Sequence, residues 1–231
     1  MTALKLSTRL DQIARLIPMT GGVADVGTDH GYIPVWLAQN GHIGKITATD
    51  IREDPLNHAW QTASLYELTD KITFRLCDGL ASLDDEETQT VVIAGMGGEN
   101  IAQILEAAPW VRENGCLLIL QPMSKAALLR AWLFENNYIV LSEQLIEDSG
   151  VYELLTARSG QDAPYSPAEL LIGHERLISQ SPLYSERLDT LIIKSQKAVD
   201  GLTRSTKAGD AVRLAEETIL LDALYKLKNR R

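Results

Sequence analysis

Four short stretches of this chain hold residues whose types suit chemistry, and the first is Asp25-Val26-Gly27-Thr28-Asp29-His30-Gly31. It ends an apolar run and opens directly into a helical pattern. In doubly wound sheets ligands sit at such places, beyond the carboxyl ends of the strands. Gly27 and Gly31 let a ligand approach the backbone where side chains would block it. The spacing is not that of a dinucleotide fingerprint, because the middle glycine is missing and Asp29 puts negative charge where a pyrophosphate would lie. A cofactor with positive charge and no phosphate suits the loop better. S-adenosylmethionine, with a sulfonium and an ammonium, is such a molecule. Taken alone, the loop also reads as a tight turn with a structural role.

Three further strand ends strengthen the first reading. Asp50 follows the glycine loop by about 20 residues, where an acidic side chain can accept from both ribose hydroxyls, with Ile51 next to it. Cys77-Asp78-Gly79 ends a third run, and Asp78 there can accept from an adenine amino group. Singly, Asp50 and Asp78 read equally well as solvated loop acids or helix caps. Ala94-Gly95-Met96-Gly97-Gly98 ends a fourth run, and so many glycines after a strand point to close contact with a bound molecule, a tight turn being the alternative. The candidate cofactor-binding residues are Asp25, Gly27, Asp29, Gly31, Asp50, Ile51, Asp78, Gly79, Ala94, Gly95 and Met96.

The elements that must position these groups follow from periodicity. An amphipathic opening helix (Leu6, Leu10, Ile13, Ile17) stops at Pro18 and Gly21-Gly22. Strand-like runs at Val23-Val26, Ile46-Asp50, Ile72-Leu76, Thr90-Ala94 and Cys116-Leu120 are each expected to lead through a turn into a helix. That rhythm predicts a parallel sheet with helices on both faces. Tyr138-Glu147 and Val151-Ala157, joined by Asp148-Ser149-Gly150, leave no room for a crossover helix and must pair antiparallel. The expected fold is α/β and Rossmann-like, a mostly parallel seven-stranded sheet of the class I methyltransferase kind over residues 1–160. Ser159-Pro167 reads as a linker. Beyond it, Leu183, Leu188, Leu191, Ile192, Val199 and Leu202, then Val212, Leu214, Ile219, Leu221, Leu224 and Leu227, recur at helical spacing. Ser205-Gly209 divides them, so residues 161–231 are expected to form an antiparallel, coiled-coil-like helical hairpin, either a structural cap or an arm that reaches a macromolecule.

Composition limits the function classes. With 231 residues, 45% hydrophobic and 23% charged, the chain can bury a sizeable core, and disorder or collagen-like repeats are excluded. No apolar run is long enough for a membrane helix, and the polar, acidic opening is unlike a signal peptide, so a cytoplasmic protein with no membrane partner is expected. Cys77 and Cys116 lie in apolar stretches and read as buried small hydrophobes, with neither disulfide nor metal expected. Net charge is −9. Residues 1–150 hold 10 Lys and Arg against 20 Asp and Glu, giving −10, whereas residues 151–231 hold 12 against 11, giving +1. A polyanion would therefore meet the second part more readily than the first. A monomer is favoured.

The chain resembles the bacterial tRNA adenine-22 N1-methyltransferases (TrmK). The resemblance rests on LSTRLDQIARLIP at the start, DVGTDHGYIP, CDGL, IAGMGGENI and LILQPMS at successive strand ends, and EDSGVYELL in the β-hairpin. Family members commonly have alanine at the position of Gly31 and glutamate at that of Asp50. It implies methyl transfer from S-adenosylmethionine to N1 of an adenine in the D arm of tRNA.

Adenine N1 carries a lone pair and no proton at neutral pH, so no general base is required and positioning should dominate. The base must be extruded and held by hydrogen bonds and a planar neighbour. Asp29, His30 and Tyr32 are the candidate catalytic residues, with Met96 opposite; Asp29 serves equally well as a contact for the methionine ammonium. Arg9, Gly97, Gly98, Gln121 and Pro122 are candidate substrate contacts near the site. On the hairpin, Lys194, Lys197, Arg204 and Lys207 are candidate phosphate contacts, with Lys226, Lys228, Arg230 and Arg231 at its other end and Arg15 beside Arg9. The Asn/Asp-Pro-Pro-aromatic tetrad that holds exocyclic amines is absent, which favours a ring nitrogen. A noncatalytic S-adenosylmethionine-binding tRNA chaperone and a small-molecule methyltransferase remain alternatives.

Overall fold

A computed structural model describes residues 3–230 apart from Asp85 and Thr206; Arg231 lies outside the described residues. The chain opens with α1 (Thr8–Leu16), whose first turn is capped by the Ser7 hydroxyl and whose Ile13 and Ala14 are buried. It continues through β1 (Val23–Val26), α2 (Tyr32–Gln39), β2 (Ile46–Asp50), α3 (Glu53–Leu65), β3 (Ile72–Leu76) and β4 (Thr90–Gly97). Then come α4 (Gly98–Glu106), α5 (Trp110–Glu113), β5 (Leu117–Ser124), α6 (Ala126–Glu135), β6 (Tyr138–Glu147) and β7 (Val151–Ser159). The seven strands form one sheet in the order β3-β2-β1-β4-β5-β7-β6. Strands β1 to β5 are parallel, and β7 runs antiparallel to both of its neighbours.

The central strands are buried and mostly apolar because both faces are covered. Val91 and Ile93 of β4, with Leu118 and Leu120 of β5, pack towards α4 and α6. Val92 and Ile119, alternating with them, face α1 and α2. The chain leaves β1 towards β2 and β3, then returns to β4 on the other side, so a crevice opens at the carboxyl ends of β1 and β4.

Several expectations are corrected. No helix follows β3 among the described residues; those of 77–89 form turns and irregular backbone, because the acidic run in the sequence there offers no apolar stripe to bury. Strands β4 and β5 run past Ala94 and Leu120 to Gly97 and Ser124, with Met96 opposite Pro122 and Gly97 opposite Ser124 across shifts of register. The missing N–H of Pro122 and the positive φ of Gly95 (+80°) interrupt the ladder there, so the pattern is hidden in the sequence. Cys116 is buried, but Cys77, at the end of β3, is only partly so.

Two short helices, α7 (Pro167–Ile172) and α8 (Glu175–Ile178), precede the long pair α9 (Tyr184–Thr203) and α10 (Asp210–Asn229). α7 begins in a capping box of Ser166 and Glu169 with Pro167 at its first turn. It stops at Gly173, where φ is +105° and a Cβ would lie 1.7 Å from a Glu143 carboxylate oxygen. In the hairpin, Leu188, Leu191 and Ile192 pack with Leu221, Leu224 and Leu227, and Ser195 donates to Glu217 (2.6 Å).

The hairpin is fixed to the sheet by a buried ionic cluster. The fully buried Arg130 of α6 pairs with Glu143 (3.2 Å) of β6 and Glu153 (2.7 Å) of β7, and donates to the Leu170 carbonyl of α7 (3.0 Å). Arg187 of α9 takes the second Glu153 oxygen (2.9 Å). The segment read as a linker is itself fastened, because Asp162 accepts from the Val140 amide (2.9 Å) and pairs with Arg176 (2.7 Å). No helix among the described residues is long and apolar enough to cross a membrane.

Candidate active site

A cleft of about 910 Å3 lies at the carboxyl ends of β1 to β4. Its floor is the loop after β1. The amides of Gly27 and Thr28 both donate to the Thr49 carbonyl (2.8 and 2.9 Å), which seats the loop on β2. Gly27 (φ +72°) lies under the Met96 methyl group, and a Cβ there would come within 2.1 Å of it. Asp29 (φ 51°) is exposed at the rim.

Asp25 is buried beneath this loop, and its carboxylate accepts from the Thr28 hydroxyl (2.7 Å). Burial pushes its pKa up to about 6, the charge of Asp50 adds to the rise, and the Thr28 hydrogen bond opposes it. Asp50, buried at the end of β2, accepts from the Arg52 amide (3.0 Å). Asp78 is exposed at the next strand end, followed by Gly79, packed against Ile104. Gly95 (φ +80°) has nothing within 4 Å of where its Cβ would lie, so its bare backbone faces open space.

Thus the cleft brings together Arg9, Asp25, Gly27, Asp29, His30, Tyr32, Asp50, Ile51, Asp78, Gly79, Ala94, Gly95 and Met96. It does not include Gly31, whose missing side chain instead lets the loop meet α3, a Cβ there standing 2.8 Å from Ala59 Cβ. Gly97 and Gly98 also lie outside it. Gly98 allows α4 to approach Lys125, whose carbonyl oxygen would stand 2.4 Å from a Cβ at that glycine, and Gly97 faces Ser124. Gln121 is fully buried behind the lining and accepts from the Arg9 guanidinium (2.6 Å). Arg9 is further held by Asp148, which accepts from its amide (3.0 Å), and by the Tyr152 ring, 5.3 Å below its guanidinium. Pro122 pairs with Met96 without lining the cleft. Lys194, Lys197, Arg204 and Lys207 are exposed on α9 and the turn after it, away from the cleft lining. Lys228 and Arg230 are paired with Asp189 (2.7 Å) and Glu175 (2.9 Å), and Arg15 with Asp11 (2.6 Å).

Sequence reasoning missed Thr28, Arg52, Cys77, Leu80 and Ala81, and one face of α4 and its C-cap, carrying Asn100, Gln103, Ile104 and Ala107. The last set could have been found, since its i, i+3, i+4, i+7 spacing directly after the glycine-rich strand end marks a stripe facing the same crevice.

Four carboxylates and two guanidiniums line this cleft. Such a surface favours a cationic ligand and disfavours a pyrophosphate. The buried, proton-hungry Asp25, the Asp50 carboxylate and the open backbone at Gly95 therefore fit the ammonium, ribose and slender chain of S-adenosylmethionine.

Residues 6–155 match the family described as a methyltransferase domain. The chain is 37% identical to the tRNA (adenine(22)-N(1))-methyltransferase of Bacillus subtilis (strain 168) over 175 residues, 75% of this chain and 74% of that protein. Its fold matches the crystal structure of the B. subtilis M1A22 tRNA methyltransferase TrmK with a TM-score of 0.87 at 28% identity, covering 97% of this chain and 99% of that one. It matches M. capricolum TrmK in complex with S-adenosyl-homocysteine with a TM-score of 0.79 at 26% identity, covering 97% of each. With its acid-lined cleft at the strand ends and its helical appendage, the chain belongs to the bacterial tRNA (adenine-22-N1)-methyltransferase family.

Proposed function

We propose that this chain methylates N1 of an adenine in tRNA, position 22 of the D arm, with S-adenosylmethionine as methyl donor. The observation that carries the reading is the acid-lined cleft at the β1 to β4 strand ends in a chain of this family. S-adenosylmethionine supplies an electrophilic methyl group on its sulfonium.

The chain's residues bind and orient. Asp50 accepts from ribose hydroxyls, Asp78 from the adenine amine, and Asp25 faces the ammonium. Asp29, His30 and Tyr32 surround the target base, with Met96 over Gly27 in the same cleft. No residue needs to abstract a proton from N1, so the contribution is positioning. Arg9, oriented by Gln121 and Asp148, is the cation at the cleft and suits a phosphate near the target. Residues 1–160 act as the catalytic domain, and residues 161–231 carry tRNA through Lys194, Lys197, Arg204 and Lys207. The protein works in the cytoplasm.

Labelled S-adenosylmethionine and two tRNA transcripts, with A or G at position 22, test this. Label should enter the first and not the second. Equal labelling, or none in either, overturns the proposal; none in either is also the result expected of a noncatalytic module.

A further inference from the structure

His58 has no part in the site described above, yet it extends it. It lies on α3, outside the cleft lining, and is exposed. Its ring stacks on that of His30 with centroids 5.4 Å apart and planes 16° from parallel. His30 stacks in turn on Tyr32 at 5.4 Å and 20°. These are offset-stacked separations, so a ladder of three near-parallel rings runs from the cleft wall to the outer surface of α3. Gly31 makes it possible: its bare backbone lets the loop carrying His30 and Tyr32 close on Ala59, the residue after His58.

We infer that the His58-His30-Tyr32 ladder is a stacking platform for an unpaired nucleobase of the tRNA segment flanking the target adenine. The inference rests on the function proposed above. The part of the chain holding the cleft carries a net charge of −10, so phosphate attraction contributes little beside it. Stacking is indifferent to that charge and accepts any base, since every base has a π-face. An exposed ladder also buries too little to serve as core packing.

The same neighbourhood offers a different reading. One ligand atom each of Asp29, His30 and His58 lies within 4.8 Å of the others, as a divalent cation site would require. The ring geometry argues against it. Imidazole lone pairs lie in the ring plane, so two stacked, near-parallel rings direct theirs along separate planes rather than at one ion.

His58→Ala and His58→Phe in the full chain decide between these readings. His58→Ala should raise the KM for tRNA about fivefold or more, and His58→Phe, which keeps a ring and has no ligand atom, should return it to within about twofold of wild type. S-adenosylmethionine affinity and melting temperature should stay at wild-type values in both. In parallel, 2-aminopurine replaces in turn each nucleotide close to the target. Its fluorescence should be quenched at one position by wild type and His58→Phe, but not by His58→Ala. A wild-type KM in His58→Ala, or quenching at no position, overturns the inference. So does failure of phenylalanine to rescue, and if chelation of wild type reproduces the alanine defect while zinc reverses it, the cluster is a metal site instead. The fluorescence arm needs no turnover, so absence of methyl transfer by wild type would count against the proposed function and not against the platform.

Discussion

Replacing Asp25 with asparagine should stabilise the fold and weaken cofactor binding at the same time. The carboxyl is buried under the first loop, and its pKa rises from the ordinary 3.8 to about 6, chiefly because burial penalises the charge. The folded chain therefore holds this proton to higher pH than the unfolded chain. Its contribution to stability is full below pH 3.8 and is lost as pH rises through about 6. The gap between 3.8 and about 6 corresponds to about 3 kcal/mol of folding free energy lost at neutral pH. Asparagine keeps the acceptor for the Thr28 hydroxyl and removes the charge. The variant should unfold later than wild type at about pH 7.5, with the difference shrinking as pH falls towards about 4. If the ionised group faces the cofactor ammonium, a carboxyl that titrates at about 6 is almost fully ionised at about pH 7.5 and about one-tenth ionised at about pH 5. Calorimetry with S-adenosylmethionine should then show wild-type affinity falling about tenfold between those conditions, and weak, nearly pH-independent binding by Asp25→Asn. An equal pH dependence in both proteins, or no gain in melting temperature at neutral pH, would show that Asp25 neither carries a buried charge at neutral pH nor faces the ammonium.

Asp78→Ala should weaken S-adenosylmethionine binding by about 1–3 kcal/mol in calorimetry, the loss of a hydrogen bond to the adenine amine; an unchanged Kd removes Asp78 from the site. Arg130→Leu leaves Glu143 and Glu153 buried without their guanidinium, and denaturant unfolding should show a loss of about 3–5 kcal/mol; a loss below about 1 kcal/mol contradicts the ionic anchor. Neutralising Lys194, Lys197, Arg204 and Lys207 together should flatten the salt dependence of tRNA binding by about 0.7–0.9 in log–log slope per phosphate contact removed, with cofactor affinity unchanged; an unaltered slope makes the hairpin's basic residues mere solubilising charge.

The sheet was legible because its central strands are buried on both faces, and runs such as Thr90-Val91-Val92-Ile93 announce themselves without regard to partners. The same principle explains the gaps. Gly95 and Pro122 break the ladder locally, so the last turns of β4 and β5 look like loop, although pairing resumes beyond them. The buried Arg130 cluster was invisible because its members are ordinary surface types, brought together from α6, β6, β7 and α9 only by the fold. In the candidate site, Asp25, Gly27, Asp50, Asp78, Ala94, Gly95 and Met96 at the ends of β1 to β4 line the cleft, since topology fixes their position, whereas Gly97, Gly98, Gln121 and Pro122 at the ends of β4 and β5 do not. Glycines were harder. Gly27 and Gly95 face the cleft, whereas Gly31 and Gly98 serve close backbone packing, and composition does not distinguish these uses. His58 carried no signal, because a histidine on a helix gains meaning only when another ring is set against it.

The most direct test of the account is mass-spectrometric mapping of methylated nucleosides in tRNA after incubation with the purified full chain and S-adenosylmethionine. 1-Methyladenosine should form at position 22, and only when the cofactor is present. N6-methyladenosine there, methylation confined to another base, or tRNA left unmodified while the cofactor binds would contradict it.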